Sequence, residues 1–337
     1  TQDCGHLHHF YDRDAILKVF DQNHFNSVIF DLIIIAVVLL LGIFMDNPLF
    51  QIPAAASVLL LFSIIIMMVG AITYWFKGWG IAFFVALFIV ANLLVQNGYI
   101  RKIHRAAGMI YDQKADYSLA GLKDVYSPGQ YQKDRVAGIE LMSRWKEKQS
   151  DSLPKMIFVC ASGGGQRAAL WTFLALQSAE QHFEGNLLNK TFMISGASGG
   201  LVGAAYYREL FELSRKQENI NLQSTRWLDN LGKDNLNPII FSLVVNDTFL
   251  KLTSFNHEGR PYRKDRGYMF EKSLNQNLEG VFSRNVGEYS ELELNAEIPW
   301  LLLSPTIAND GRKLYISNPP VSFLNFDPPL DSEYLAK

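Results

Sequence analysis

Residues 191–202 read Thr191-Phe192-Met193-Ile194-Ser195-Gly196-Ala197-Ser198-Gly199-Gly200-Leu201-Val202. An apolar run of strand length meets a cluster of small residues and then a helical pattern. The cluster fits Gly-x-Ser-x-Gly with Ser198 at its centre, the spacing of a nucleophile elbow. A serine held at a sharp strand-to-helix turn has a strained backbone, and neighbours carrying Cβ atoms collide there. Gly196 and Gly200 relieve that crowding, while Ala197 and Gly199 are expected to keep the approach to the hydroxyl open. The first N–H groups of the following helix favour negative charge developing near the serine. Taken alone, the five residues equally suit a Gly-rich turn that does no chemistry.

A second unit of the same kind lies upstream. Met156-Ile157-Phe158-Val159-Cys160-Ala161 is a continuous apolar run, followed by Ser162-Gly163-Gly164-Gly165-Gln166-Arg167 and a helical pattern over 168–183. A Gly-rich loop between a buried strand and a helix presents backbone N–H groups to an anion. Beside a serine nucleophile, that anion is the oxyanion of an acyl-transfer intermediate. Two strand–loop–helix units in tandem, one with donors and one with a nucleophile, are far more specific than either motif.

Together these two stretches resemble the patatin-like phospholipases, of the membrane-anchored bacterial type, and their cytosolic phospholipase A2 cousins. The resemblance is sharpest over residues 155–215 and looser to about Leu324. It implies a three-layer α/β fold with a mainly parallel sheet. It also implies a serine–aspartate dyad, with the glycine loop (Gly163, Gly164, Gly165, with Arg167 matching the arginine that follows the glycines) as oxyanion hole. The family's aspartate sits in an Asp-Gly-Gly or Asp-Gly-Ala motif downstream of the serine, and these 337 residues contain none. Asp310-Gly311 is the nearest match, but Arg312 departs from the motif. Asn309-Asp310-Gly311 reads instead as the tight turn of a hairpin between 306–308 and 312–317. The chain also lacks an initiating methionine. The two observations suggest a fragment cut at both ends, with the dyad aspartate expected beyond Lys337.

The N-terminal third has a different character. Residues 47–76 and 78–100 contain no charged side chain, and 28–45 contains only Asp31. A bilayer core needs about 20 apolar residues in a helix. The expected organisation is therefore a polar segment (1–26, with a short interfacial helix at 14–20), a transmembrane region (27–100, helices near 28–45, 52–76 and 79–97), a connector (101–153) and an incomplete hydrolase domain (154–337). The first span qualifies if Asp31 lies among the headgroups. Trp75, Phe76 and Trp79 sit where belt aromatics sit. Placing Arg101, Lys102 and Arg105 inside puts the hydrolase domain in the cytoplasm, against a bacterial inner membrane. Arg13, Lys18 and Lys77 on the other side bring the charge count near a tie.

Net charge is −2, which argues against nucleic acid as a partner. The partners implied are the bilayer and a lipid or phospholipid substrate. The two cysteines, Cys4 and Cys160, fit neither a disulfide framework nor a metal spacing. Cys4, His6, His8 and His9 read as part of a solvated polar terminus, and neither metal nor cofactor is expected. Helices are predicted at 134–148, with Val136, Ile139, Met142 and Trp145 on one stripe, at 201–216, at 224–249 with a break at Asn237-Pro238, and at 268–278. The basic stretch 259–267 reads as a loop.

Three other chemistries have some footing. A Ser–Asp–His triad would use His257, or His182, with Asp229, Asp234 or Asp247. Gly163 to Ala168 also fits the G-x-G-x-x-A of a dinucleotide site, with Glu184 at the spacing of a ribose contact. A membrane-tethered, inactive lipid-binding or scaffold protein with a hydrolase fold is the third.

Overall fold

The computed structural model describes residues 13–97, 106–108, 118, 120–121, 127–217, 219–248, 253–307 and 311–324. Cys4 and the N-terminal histidines, the Arg101–Arg105 cluster and Asp310 fall outside them. The principal elements are α1 (Arg13–Ile43), α2 (Ala54–Phe76), α3 (Gly80–Gln96), α4 (Pro128–Glu147), β1 (Ile157–Ala161), α5 (Gly165–His182), β2 (Thr191–Gly196) and α6 (Ser198–Lys216). There follow α7 (Thr225–Gly232), α8 (Leu236–Ser242), β3 (Ser254–His257), β4 (Arg260–Arg263), α9 (Arg266–Asn277) and β5 (Trp300–Leu303). The chain is mixed α/β and mostly helical. It forms two compact units, Thr1–Met109 with Asp234–Ser273, and Ile110–Lys233 with Leu274–Lys337. The sequence reading kept 234–273 within the hydrolase region. Its apolar side chains instead pack on the N-terminal helices.

In the first unit, α1 and α2 are long and apolar enough to cross a membrane, and α3 is a shorter apolar helix. Most of their large apolar side chains are exposed. The expected break after residue 20 is absent, because α1 runs unbroken from Arg13, and at 31 residues it is about 46 Å long. Asp31 is buried within the unit. Val38, Met45 and Ile64 form a core with Phe241, Val245 and Met269. The first backbone N–H of α2, at Ala54, has no partner within its own helix. It donates to Asn237 Oδ1 at 2.7 Å. Gly42 allows the close approach of the π-helical turn Leu243–Asp247, since a Cβ there would lie 2.8 Å from Asn246 Oδ1. The break in 224–249 falls at 233–235, and Pro238 sits in the first turn of α8, where its missing N–H costs nothing. The basic stretch is not a loop but β4, paired antiparallel with β3.

Asp46, in the α1–α2 turn, is the polar anchor of this unit. It accepts hydrogen bonds from Lys272 Nζ at 2.6 Å, from Tyr268 Oη at 2.9 Å and from Lys264 Nζ. Burial alone would raise its pKa, but those donors and the Lys272 charge hold it at about 2, against an ordinary 3.8.

The second unit is built on a parallel sheet of order β1-β2-β5. Ala161 pairs with Gly196 and Gly196 with Leu303, so all three strands end on one edge. β5 alternates: Leu301 and Leu303 face the core that includes Phe173, Ile194, Ala204 and Tyr207, while Trp300 and Leu302 face Leu141, Trp145 and Phe192. Helices therefore cover both faces. The buried face of α4 shares only Trp145 with the expected stripe. Asp134, Leu141 and Trp145 are buried, and Gly138 lies against Phe323, whereas Val136 and Ile139 are each 52% exposed. A hydrophobic count misses this face because it contains a glycine and an aspartate, whose carboxylate accepts from Ser322 N at 3.0 Å.

Gly203 lets α6 approach α5, where a Cβ would overlap the Ala169 carbonyl. The pair Arg208–Glu293 is buried beneath, with Glu293 also accepting from Leu301 N at 3.2 Å and Asn318 Nδ2 at 2.8 Å. Past β5, bridges Leu303–Ile316 and Thr306–Lys313 bring the two sides of 303–316 together antiparallel, as a hairpin requires.

Two outcomes follow. Gly203→Ala is expected to destabilise the second unit by about 1–3 kcal/mol, because backbone must move to admit the methyl group; a thermal melt in detergent reads this as a lower Tm. Asp46→Asn is expected to lower Tm at neutral pH. A carboxylate with a depressed folded pKa contributes its stability above the unfolded value near 3.8 and loses it as pH falls through about 2. Melts repeated from pH 7 downwards should therefore show the gap between wild type and Asp46→Asn closing across that window.

Candidate active site

Ser198 sits where β2 becomes α6. β2 ends at Gly196, and Ala197 is extended, with φ −143° and ψ 155°. Ser198 then takes φ 54° and opens the helix. A non-glycine residue in this left-handed region costs of order 1–3 kcal/mol and persists only where the surroundings impose it. Here they do: Ala197 N donates to Ala161 O at 3.3 Å, which ties the elbow to the end of β1. A Cβ at Gly196 would overlap that same carbonyl, and one at Gly200 would overlap the Ser162 carbonyl. Both glycines are thus required by close approach. Gly199 has the same role. The sequence reading gave it to substrate access, but a Cβ there would overlap the Gly165 carbonyl.

The glycine loop lies directly beside the serine. A Cβ built on Gly163 would be 3.4 Å from Ser198 Cβ and 4.0 Å from its Oγ. Gly164 has φ 139° and Gly165 φ 61°, conformations in which L side chains are strained. α5 starts at Gly165 and α6 at Ser198, and neither helix has a side-chain hydrogen bond capping its N-terminus. Two sets of first-turn N–H groups therefore open on the same sheet edge, next to one hydroxyl. Ser198 and Ser162 to Arg167 are all exposed, so solutes reach the site freely.

One residue of this loop carries a role that motif matching passes over. Gln166 Nε2 donates to Leu231 O at 3.1 Å and Lys233 O at 2.6 Å. It fastens the start of α5 to the end of α7. The only signal in the sequence is a long amide side chain directly after three glycines.

The residues of the rival chemistries lie in other settings. Asp234 caps α8, accepting from Leu236 N at 2.9 Å and Asn237 N at 3.2 Å, and Asp247 pairs with Arg266 at 3.3 Å. Asp229 is exposed on α7. His182 contacts Ser178 O within its own helix at 2.9 Å. His257 is half-buried at the end of β3, edge-on to Tyr262. Glu184 follows the C-terminal end of α5, about 27 Å along the helix from the glycine loop. It precedes β2, at the opposite end of the sheet from the loop, which is the wrong end for a ribose contact. Among the described residues, no group of three or more His, Cys, Asp or Glu could hold a metal ion. Comparison of the chain with models of protein families, with curated proteins and with solved structures gave no match.

Proposed function

We propose that this protein is a membrane-anchored serine hydrolase that cleaves carboxylic esters of lipids or phospholipids. One observation carries the reading: Ser198 is held at φ 54° between a strand and a helix, with Gly163 of a second strand–loop–helix unit against its side chain. A turn without chemistry has no need to keep a serine at a costly backbone angle beside uncapped helix N-termini. The hydroxyl attacks the ester carbonyl carbon, and the alcohol leaves as the acyl-enzyme forms. Water then attacks the acyl-enzyme and releases the fatty acid. The amides of Gly163, Gly164 and Gly165 stabilise the oxyanion in both steps. The resemblance to patatin-like enzymes supplies the substrate class and the aspartate that takes the serine proton. α1 and α2, with α3, hold the enzyme at its substrate's membrane. The basic residues after α3 favour a cytoplasmic hydrolase unit in a bacterial inner membrane.

The test is turnover of a short-chain nitrophenyl ester and then of phospholipid vesicles, by protein expressed with any sequence that follows Lys337 in the gene. Ser198→Ala is expected to lower turnover at least ~10³-fold and to abolish fluorophosphonate labelling. Gly163→Val should lower it roughly 10²–10³-fold by crowding the hydroxyl and the donors. Asp310→Asn should leave it unchanged. Turnover that survives Ser198→Ala rules the reading out. A folded protein with neither turnover nor labelling favours the inactive, membrane-tethered lipid-binding or scaffold reading instead.

A further inference from the structure

Charge near the helices comes close to a tie; the packing of the first unit bears on which segments share a side of the bilayer. Two sets of contacts mark the two ends of the α1–α2 pair. At one end Tyr74, near the close of α2, donates its hydroxyl proton to Asp21 and stacks on His24, both on α1, with ring centroids 3.7 Å apart for the stack. Exposed Trp75 and Trp79 lie at the same end. From His24 to Ile43 the helix rises about 29 Å, which is close to the ~30 Å of a bilayer core. At the other end lies the α1–α2 turn, where Asn237 caps Ala54 and Lys264, Tyr268 and Lys272 surround Asp46.

The second set of contacts comes from residues nearly 200 positions downstream. Phe241 and Val245 reach Val38 and Ile64, roughly 10 Å and 15 Å along the helices from the turn. Lys264 and Lys272 of that segment reach Asp46 in the turn itself. A segment with this distribution sits at a membrane face, apolar side chains down and lysines up. The chain enters it from Lys233 and leaves it at Leu274, so the stretches that flank it begin on that side of the bilayer.

Taken with that docking, the connectivity of α3 sets the number of crossings. α2 ends at Phe76, the three-residue turn Lys77–Trp79 follows, and α3 runs 17 residues, about 26 Å. If α3 crosses, residue 97 emerges on the face of the α1–α2 turn. If it does not, the following chain starts on the Trp79 face, and Asp234–Ser273 has no route to Asp46.

We propose, on the reading that these helices lie in a bilayer, that the chain crosses it three times. On this arrangement the α1–α2 turn, Asp234–Ser273 and the chain that follows α3 lie on one side of the bilayer, and the N-terminal end of α1 and the α2–α3 turn lie on the other. Asp234–Ser273 is then a second attachment to that side of the bilayer, in addition to α3.

The experiment uses the full chain with Cys4 and Cys160 changed to serine and one reporter added at a time. Leu49→Cys reports the α1–α2 turn, where Leu49 is 91% exposed. Gly78→Cys reports the α2–α3 turn, with no atom within 4 Å of its Cβ. Glu147→Cys reports the exposed end of α4. A membrane-impermeant maleimide is applied to sealed vesicles, before and after permeabilisation. Leu49→Cys and Glu147→Cys should behave alike and Gly78→Cys oppositely. Whichever set is hidden should gain at least ~10-fold in labelling when the vesicles are opened. Leu49→Cys and Glu147→Cys on opposite faces, or Gly78→Cys sharing theirs, overturns the three-crossing arrangement if the protein stays in the pellet after alkaline carbonate. Equal labelling of all three with release by carbonate shows that the membrane reading itself is wrong, and the arrangement falls with it.

Discussion

Close backbone contact between two strand–loop–helix units is the constraint on which the second unit depends. β1–α5 and β2–α6 meet at four glycines, Gly196, Gly199, Gly200 and Gly203, each facing a carbonyl oxygen of the other unit. No side chain fits between them. The helices can therefore start side by side, and the two parallel strands can end level. That closeness turns two ordinary helix N-termini into one site. A methyl group at any of the four positions would part the units and leave the Ser198 hydroxyl without its neighbouring amides.

The first unit rests on the opposite principle, long-range polar pairing at the rim of an apolar core. Asp46 would be costly to bury alone. Three donors from a distant segment make it an anchor, and an asparagine from the same segment completes the first turn of α2. Apolar contact then fills the space behind. Helices that expose so much hydrophobic surface have little else to specify where a distant segment should dock. Directional hydrogen bonds at the rim supply that register.

Much of this was legible in the sequence, for identifiable reasons. The two glycine clusters and the apolar runs before them fixed β1, β2, α5 and α6, because strand periodicity and small-residue turns are local signals. The charge-free runs did the same for α2 and α3. What escaped was non-local. Nothing in Gly259–Gly267 announces a strand, since β4 exists only by pairing with β3. Gly199 looked like an opening and is a contact, because the atom it avoids belongs to Gly165. α4 buries a face containing Asp134 and Gly138, which no hydrophobic count selects. The allegiance of Asp234–Ser273 could not be read either, as it depends on Asp46, 188 positions before its first residue. The tandem glycine loops identified the candidate site, yet the serine's backbone angle and its distance from Gly163 needed coordinates.

The left-handed backbone at Ser198 also bears on what happens if selection relaxes. Glycine adopts that conformation without penalty, and asparagine or aspartate with less than serine. A lineage with no use for the hydroxyl gains stability by drifting to glycine at this position, a single-base change from the serine codons AGU and AGC. Serine is therefore the residue that drift removes, and its presence marks a position where folding and chemistry pull in opposite directions.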